Sequence, residues 1–392
     1  MELRIEDFNL PEELESYYEA VREFTVTDLY PLGEEIEDKN RIPDTLLPML
    51  GRAGLLSLRV PKEYGGSGLN MSQFWPILKE VAKSQGAIRM AVHGHNGIWT
   101  MIYYHGTKEQ KEKYLPLWAK GVGFPVFALT EPERGTGVDI GTTATREGDV
   151  YKLNGSKQLI TWPDIGFVFH IVAYTGDRSL RAKGISMILA EPGAAGLTIE
   201  PHEEFMGIRG CYHGILHFKD CAVPVTNLLG EEGDGLGIAL RTFLDVSRLG
   251  IAVSCLGAAE RLLELSADFA KKRVTFGKPI AERQAVQQML ADMATDIYAT
   301  RCMVVDCASR YDAGQSIASE ASKCKLFAVE MSKRVSDNAL MIHGGIGCTR
   351  EYPVSMIYRD MRELWFEEGT PTIQRLVIGR DVLGKPLRSI GK

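Results

Sequence analysis

The chain lacks the features of a domain held together by disulfides or by zinc. Its seven cysteines are odd in number and scattered over 392 residues, and no two form a C-x-x-C pair. The histidine pairs His93 with His95 and His213 with His217 could each share one face of an element, but we interpret them as ordinary polar residues near turns. We therefore expect neither a disulfide framework nor a metal site.

Excess positive charge and long apolar runs are also missing. The formal net charge of −6 gives no support for binding to nucleic acid or to an anionic membrane surface. No apolar run approaches the roughly 20 residues that a membrane-spanning helix needs. The first residues, MELRIEDFNLPEELESYY, are acidic and amphipathic, unlike a leader with a basic region and an apolar core. We expect a cytoplasmic protein without nucleic-acid partners or membrane insertion.

The common nucleotide-binding glycine motifs are absent too. The segment GEEGDGLG at 230–237 is glycine-rich, but its glycines do not form G-x-G-x-x-G and no βαβ pattern surrounds it. The sequence has no P-loop either. A dinucleotide would have to be bound by another kind of site.

The sequence does contain helical patterns at both ends. Apolar spacing predicts helices near the N-terminus at 12–36, 44–53, 72–84 and 108–118. A loop is predicted at 61–68, where the sequence reads PKEYGGSG. From about 236 the helical period returns and persists from Val286 to Val304, where we interpret the apolar stripe as core packing.

Between these helical regions the pattern is typical of β-structure. Short β-rich runs at 167–174, 185–190 and 215–218 are separated by turn residues, and Asn154-Gly155 predicts a hairpin turn. The sequence therefore predicts an α+β protein: a helical domain at 1–120, a β domain at 121–235 and a second helical domain at 236–392.

The segment FEEGTPTIQRLVIGR at 366–380 is the strongest candidate for a catalytic site. Two carboxylates precede a helix that Thr370 would cap and whose first turn would contain Pro371. Ile373, Leu376 and Val377 form the predicted apolar stripe, and Gly384 and Pro386 would end the helix. An acid held in a loop and positioned by the following helix is suited to serve as a catalytic base.

Four short motifs occur in a fixed order along nearly the whole chain. They are FALTEP at 127–132, followed by a glycine-rich loop and Asp139; LIT at 159–161 after NGSK; KRVTFGKP at 272–279 with Gln284 downstream; and 343–380, with HGGIG, EYPV, YRD and EEGTPTIQR. Together they resemble the acyl-CoA dehydrogenase family.

The resemblance implies a helical N-terminal domain, a middle β-barrel or β-sandwich domain and a C-terminal four-helix bundle. It further implies FAD, a homo-oligomer that is usually a tetramer, and α,β-desaturation of an acyl-CoA thioester with electrons passed to an electron-transfer flavoprotein. Such chemistry needs a carboxylate that takes the α-proton and a flavin that accepts the β-hydride. Hydrogen bonds must also polarise the thioester carbonyl as enolate charge develops.

Glu368 matches the family's base because it directly precedes Gly369 and Thr370. The resemblance makes its backbone N–H one half of the carbonyl clamp. Some relatives place the base just before an arginine of another helix in the last domain. Here that residue is Ser247, which precedes Arg248 and cannot serve as a carboxylate. Glu367 stands where many relatives carry an aromatic residue of the acyl pocket.

The resemblance also implies the residues that contact FAD. Leu159 departs from the family, which usually has an aromatic residue there, and Met341 stands where a glutamine is common. Arg273, Thr275 and Phe276 resemble a segment that reaches the FAD of a neighbouring subunit, with the arginine suited to a pyrophosphate. The other expected cofactor contacts are Phe127, Leu129, Thr130, Thr161, Gly344, Gly345, Thr370 and Thr372.

Substrate contacts are implied in the same way. The loop after Pro132 is about two residues longer than the common family form. In the family a serine of this loop contacts the CoA arm, and Thr136 is the nearest hydroxyl residue in this sequence. Leu244, Asp245 and Arg248 lie on the helix that usually flanks the pantetheine and the base. The remaining expected contacts with substrate are Arg89, Glu367 and Gly369.

The identity of the acyl group is left open by the sequence. The segment AIRMAVHGHNGIW at 87–99 occupies the helix that closes the acyl pocket in the family, and it carries Arg89, His93, His95 and Asn96. A straight fatty chain would need apolar walls, because a buried unpaired charge is costly. We therefore expect a short, branched, cyclic or functionalised acyl group, for example one whose carboxylate meets Arg89. Alternatively, these residues face solvent or pair with each other, as Arg89 would with Glu367.

Other functions are compatible with the same residues. A carrier-protein-linked dehydrogenase, an enoyl-CoA reductase or an oxidase would keep the fold. A flavin monooxygenase is disfavoured because it would not need the Glu368 base. A non-catalytic helical binding protein is the alternative from a different class.

Overall fold

Helices occupy most of the described chain up to position 120. The computed structural model describes residues 12–135 and 137–385. The helices are α1 (Glu12–Phe24), which continues through a π-helical turn (Thr25–Leu29) into α2 (Tyr30–Lys39), then α3 (Leu46–Arg52), α4 (Met71–Val81), α5 (Gly86–His105) and α6 (Lys108–Lys120). The helices predicted in this region all coincide with one or more of these elements.

Helix α5 is absent from the predicted patterns because it is buried on nearly all sides. Its residues from Gly86 to Ile102 are all buried. A helix that is surrounded by protein has no polar face, so its sequence shows no amphipathic period. It packs against α4, against the strand Phe124–Ala128 of the middle part and against the long helix Asp245–Lys272, and thereby links the three parts of the chain.

The middle part is a mixed sheet. Its strands are β1 (Phe124–Ala128), β2 (Thr143–Glu147), β3 (Val150–Thr161), β4 (Gly166–Tyr174), β5 (Ile185–Ala190), β6 (Leu197–Pro201), β7 (His213–Pro224) and β8 (Leu228–Leu229). The sheet order is β6-β7-β3-β2-β4-β5-β8, and β1 pairs with β4 in parallel. The three β-rich runs of the sequence coincide with β4, β5 and β7.

The predicted hairpin at Asn154-Gly155 is wrong. Both residues lie inside β3, which continues to Thr161. The turn between β2 and β3 is instead at Gly148, where φ is +60°. Gly155 marks a register shift against β7, and a Cβ there would lie 2.7 Å from the Cα of Thr142. A glycine that permits close backbone approach produced the same sequence signal as a turn.

The last part is a bundle of helices. After a short turn (α7, Gly235–Gly237) and a π-helical segment (Ile238–Leu244) come α8 (Asp245–Lys272), the small hairpin of β9 (Val274–Thr275) and β10 (Lys278–Pro279), α9 (Gln284–Asp312), α10 (Ala318–His343), α11 (Val354–Glu363) and α12 (Pro371–Val382). Helix α10 packs against α8, α9, α11 and α12. The predicted α+β class is confirmed.

Helix α12 starts as the sequence predicts, but it buries a different face. Thr370 is its N-cap residue and Pro371 its first residue, although the threonine side chain makes no capping hydrogen bond. Leu376 of the predicted apolar stripe is 51% exposed, whereas Gln374 is fully buried beside Val377. Hydrogen bonds from Gln374 to the preceding turn explain why an amide is buried there. The predicted stop residue Pro386 lies outside the described residues.

The sequence predicts neither a membrane-spanning helix nor a metal site, and the structure can be compared with both predictions over residues 12–135 and 137–385. Within them, no helix has both the length and the low polarity that crossing a membrane requires. Within the same ranges, no group of three or more His, Cys, Asp or Glu side chains is placed to hold a metal ion.

Candidate active site

The turn between α11 and α12 holds Glu368 in a left-handed backbone conformation. Its φ is +55°, and that of Gly369 is +93°. This conformation is unfavourable for a residue with a side chain and needs support from its surroundings. The Lys325 ammonium donates to the carbonyl oxygens of Glu367 and Gly369. Gln374 Nε2 donates to those of Glu368 at 3.2 Å and Gly369 at 2.9 Å. Side chains from α10 and α12 therefore fix the turn.

The Glu368 carboxylate is suited to accept a proton near neutral pH. Burial raises its pKa to about 6, and the charge of Glu367 acts in the same direction. A hydrogen bond from Ser247 Oγ to Glu368 Oε1, 2.8 Å long, favours the ionised form, as does the charge of Lys325. A base whose pKa lies near the working pH combines ionisation with useful proton affinity.

Ser247 belongs to a hydrogen-bond chain that ends on this carboxylate. Its Oγ lies 3.0 Å from His93 Nε2, and Arg89 Nη1 lies 3.4 Å from His93 Nδ1. A guanidinium can only donate, so His93 Nδ1 accepts and the ring proton is on Nε2. Burial and the charge of Arg89 lower the pKa of His93 to about 4, which keeps the ring neutral. Arg89, His93 and Ser247 thus donate in succession toward Glu368.

Arg89 and Glu367 pair with each other, as the alternative interpretation of the sequence holds. Two parallel hydrogen bonds of 2.9 and 2.8 Å join Arg89 to the two carboxylate oxygens of Glu367. Burial acts to raise the pKa of Glu367, but Arg89 overrides it and leaves the pKa below its usual value. Glu367 is therefore ionised and committed to Arg89, which leaves Glu368 as the acid beside the serine.

The residues expected to flank the substrate surround the same turn. Arg248 Nε lies 3.3 Å from the carbonyl oxygen of Glu368, and its Nη1 donates to Asp245 Oδ1 at 2.8 Å. Leu244 is buried at the end of the π-helical segment, directly before Asp245. Thr136 lies outside the described residues.

The FALTEP and LIT motifs are adjacent in space. The backbone N–H of Gln158 in β3 donates to the carbonyl oxygen of Thr130 at 2.9 Å, and Lys157 Nζ donates to that of Leu129 at 3.1 Å. The ring of Phe127 meets that of Phe243, just before Leu244, with centroids 5.0 Å apart. The end of β1 therefore bridges the sheet and the segment that leads into α8.

Leu159 and Thr161 lie at the end of β3. Leu159 has a φ of +57° at an irregularity of β3 and is 41% exposed. Thr161 Oγ1 lies 3.5 Å from His213 Nε2. Burial lowers the pKa of His213 to about 4, while the charge of Glu367 acts in the opposite direction. Glu367 is thus near enough to influence the β domain electrostatically.

The other expected cofactor residues lie on exposed surface of the single chain. Phe276, at the tip of the β9–β10 hairpin, is 97% exposed, and Met341 is 72% exposed. No described atom lies within 4 Å of a Cβ built on Gly344 or Gly345. Arg273 and Thr372 are exposed, while Thr275 and Thr370 are half-buried. Thr370 belongs to the turn that holds Glu368, whereas Phe276 and Met341 are exposed on the surface of the single chain.

Sequence reasoning missed several buried polar residues that shape the site. Ser247 was considered only as a possible position for the base. Lys325 lies outside every quoted motif, and Gln374 lies within EEGTPTIQR but was given no role. Glu131 and Lys157 lie inside quoted motifs, where they form a buried ion pair of 2.7 Å. Glu131 also accepts from the backbone N–H groups of Gly141 and Thr142 and so fixes the loop after FALTEP. The sequence could have indicated this pair, because two motifs of the predicted β domain contain one residue of each charge, Glu131 in FALTEP and Lys157 in NGSK.

Family models cover almost all of this architecture. The N-terminal domain of acyl-CoA dehydrogenase matches residues 11–122, the middle domain matches 126–221 and the C-terminal domain matches 233–383. The chain belongs to the acyl-CoA dehydrogenase family, a family of FAD-dependent oxidoreductases.

Similar proteins span the whole chain. Acryloyl-CoA reductase (NADH) of Anaerotignum propionicum is 38% identical over 380 residues, covering 96% of each chain. The short-chain-specific acyl-CoA dehydrogenase of Clostridium acetobutylicum is 37% identical and covers 95% of this chain and 98% of its own. A solved structure described as the electron transferring flavoprotein of Acidaminococcus fermentans matches with a TM-score of 0.92 and 36% identity, over 96% and 99% of the two chains.

The residues at the end of β3 fit the isoalloxazine of FAD. Leu159 offers an exposed apolar side chain, and Thr161 a hydroxyl whose protein contact is long. His213 Nδ1 is buried and has no hydrogen-bond partner among the described residues. An apolar surface with a few available polar groups is the usual character of a cofactor site. The carbonyl oxygens of Leu129 and Thr130 accept hydrogen bonds from Lys157 and Gln158 of the same strand, and Phe127 lies at the end of β1.

Proposed function

We propose that Glu368 is the base of an FAD-dependent acyl-CoA dehydrogenation. The observation that best supports this is the partly buried Glu368 carboxylate, whose pKa is raised to about 6 and whose turn is fixed by Lys325 and Gln374. Glu367 is excluded as the base by its pairing with Arg89, which holds its pKa low.

The chain's own residues perform the proton-transfer half of the reaction. The α-proton of the acyl thioester passes to the Glu368 carboxylate, and its C–H electron pair becomes part of the new α,β double bond. The backbone N–H of Glu368 would donate to the thioester carbonyl and stabilise the charge that develops there. Bound FAD supplies the acceptor for the hydride that leaves the β-carbon. Thr161 and Leu159 would contact the flavin beside this centre.

The acyl group is proposed to be short, branched, cyclic or polar at its end. Ser247 and His93 line a small cavity between α4, α5 and α8. Its volume is about 10 Å³. An alkyl chain would have to displace packed side chains to enter it, which favours an acyl group short enough to end before this cavity. The short-chain specificity of the Clostridium acetobutylicum relative supports the same class.

The proposed partners follow from the exposed surfaces and from the relatives. Phe276, Met341 and the glycines at 344 and 345 would complete the FAD site of a neighbouring copy, which requires a homo-oligomer and fits a tetramer. The similar structure from Acidaminococcus fermentans is described in connection with an electron transferring flavoprotein. This association supports an electron-transfer flavoprotein as the electron partner of this chain. Because acryloyl-CoA reductase is equally similar, reduction of an enoyl-CoA thioester is the second candidate direction.

The function is tested by reducing the bound flavin with thioesters. We expect the purified protein to absorb near 450 nm, and butyryl-, isobutyryl- or cyclohexanecarbonyl-CoA to bleach this band anaerobically. Enoyl-CoA added to the chemically reduced enzyme tests the reverse direction. A protein that binds FAD but is bleached by no thioester in the panel would not be an acyl-CoA dehydrogenase, and one without FAD would support a binding protein.

Replacing Ser247 tests the hydrogen-bond chain. In Ser247→Ala, Glu368 loses the donor that favours its ionised form, so its pKa should rise by about 1 unit. The acid limb of the pH profile for flavin reduction should therefore move to higher pH, since less of the base is ionised at a given pH. Ser247→Thr keeps the hydroxyl and should restore the original limb. Lys325, Arg248 and the Arg89–Glu367 pair remain in both variants, so an unshifted limb in the alanine variant would contradict the role of Ser247.

A further inference from the structure

The turn that holds Glu368 directs three consecutive carbonyl oxygens at donors inside the protein. Lys325 Nζ donates to the carbonyl oxygens of Glu367 and Gly369. Gln374 Nε2 donates to that of Glu368 at 3.2 Å and shares that of Gly369 at 2.9 Å. The donors belong to α10 and α12, the helices that pack against this turn. Each carbonyl oxygen of the turn is therefore used by the protein itself.

The N–H groups of the same turn are left without acceptors. Neither the Glu368 N–H nor the Gly369 N–H donates a hydrogen bond to any residue that the structure describes. The peptide bonds here are trans, so a carbonyl and the N–H of the next residue point in opposite directions across one rigid plane. Because the carbonyl oxygen of Glu367 is held on Lys325, the Glu368 N–H is aimed to the side opposite Lys325.

Lys325 differs from Gln374 in carrying a charge. Its side chain is fully buried, and burial lowers its pKa to about 8, while the charges of Glu368 and Glu367 act in the opposite direction. The side chain is therefore an ammonium at neutral pH. A charged group costs more free energy to bury than an amide, yet the amide of Gln374 also fixes carbonyl oxygens of this turn. The charge of Lys325 therefore exceeds what anchoring alone requires.

We propose that Lys325 is a positioning residue, which aims and polarises the Glu368 N–H for the thioester carbonyl oxygen of the substrate. The inference rests on the proposed function, in which this N–H stabilises the developing enolate. An ammonium on the carbonyl oxygen of a peptide group draws electron density from its nitrogen, which makes the N–H a stronger donor. The gain is largest when negative charge develops on the thioester oxygen, so it lowers the barrier more than it improves binding. Lys325 acts through the peptide group and needs no contact with the substrate.

The carbonyl stretch of a bound thioester measures this polarisation directly. The probe is acetyl-CoA labelled with ¹³C at its carbonyl carbon, bound to the FAD-containing protein and observed by infrared difference spectroscopy. Binding to wild type is expected to move the stretch to lower frequency, and Lys325→Met should lose most of this shift. Exchange of the α-hydrogens of acetyl-CoA in D₂O should slow on the order of 10-fold in this variant, because the donor is weakened but not removed.

Gln374→Met is the matched control. It removes a donor from the carbonyl oxygens of Glu368 and Gly369, but it leaves Lys325 on that of Glu367, whose peptide group carries the Glu368 N–H. A turn that is merely loosened would affect both variants alike. We expect Gln374→Met to keep the frequency shift. Equal losses in the two folded variants would overturn the proposal and leave Lys325 as an anchor of the turn.

Two further measurements keep the proposal falsifiable if Lys325→Met does not fold. Lys325→Gln keeps a donor but no charge, and an unchanged frequency shift in it would overturn the polarising role. A wild-type stretch that does not move on binding would do the same, because no polarising donor would then reach the oxygen. Bleaching of the flavin by thioesters in these cases would leave the proposed function standing. Failure of every thioester to bleach the wild-type flavin would instead remove the proposed function itself.

Discussion

The Glu368→Gln variant is expected to retain FAD and bind thioester but to reduce its flavin more slowly by roughly 10²- to 10⁴-fold, the usual contribution of a positioned general base. Glutamine has nearly the same shape, and its carbonyl oxygen can still accept the hydrogen bond from Ser247. The backbone contacts of Lys325 and Gln374 to this turn do not depend on the side chain. The measurement is the anaerobic rate of bleaching near 450 nm after mixing with a saturating thioester.

Glu367→Gln is the matched control for this variant. It removes a carboxylate from the neighbouring residue and breaks the pair with Arg89, but it leaves the proposed base intact. A smaller loss of rate is expected, accompanied by reduced stability. If Glu367→Gln lost as much activity as Glu368→Gln, or if Glu368→Gln remained fully active, the assignment of the two glutamates would be wrong.

The second large effect is expected on stability, at the pair of Arg89 and Glu367. Removing one partner leaves the other charge buried and unpaired, which typically costs about 3–5 kcal/mol. Arg89→Met should therefore destabilise the protein strongly. The double variant Arg89→Met/Glu367→Gln should recover part of this loss, because no uncompensated charge remains. Urea unfolding at one fixed protein concentration measures all three proteins.

The same pair gives the stability a defined pH dependence. Because Arg89 holds the pKa of Glu367 below its usual value in the folded protein, the contribution of Glu367 is fully present above its unfolded pKa. It is lost as the pH falls through the folded pKa. Wild type should therefore lose more stability on acidification than the double variant. Equal unfolding midpoints for Arg89→Met and the double variant at neutral pH would argue against the pair as a coupled unit.

Local sequence patterns predicted much of this fold, because helix caps and strand composition depend on residues that are neighbours in the sequence. The start of α12 at Thr370-Pro371 and strands such as β5 follow directly from capping and composition. The same reasoning failed for α5, whose burial removes its polar face, and for Asn154-Gly155, where the glycine accommodates the backbone of Thr142. Both errors arise from tertiary contacts that a local pattern does not contain.

The residues of the site also differ in whether a local pattern could predict them. Glu368 was predicted because its base motif lies within a few consecutive residues. The groups that tune it come from distant segments: Ser247 from α8, His93 from α5 and Lys325 from α10. Each has an ordinary residue type at an ordinary helical position.

Exchange of α-hydrogens with solvent tests the central role of Glu368 most directly. Acetyl-CoA has α-hydrogens but no β-carbon, so it can lose a proton to the base without transferring a hydride. In D₂O, the wild-type holoenzyme is predicted to incorporate deuterium into the acetyl group, and Glu367→Gln should retain this activity. Glu368→Gln, with FAD bound, should show exchange no faster than the solution without enzyme. Exchange at the wild-type rate in Glu368→Gln would contradict Glu368 as the base.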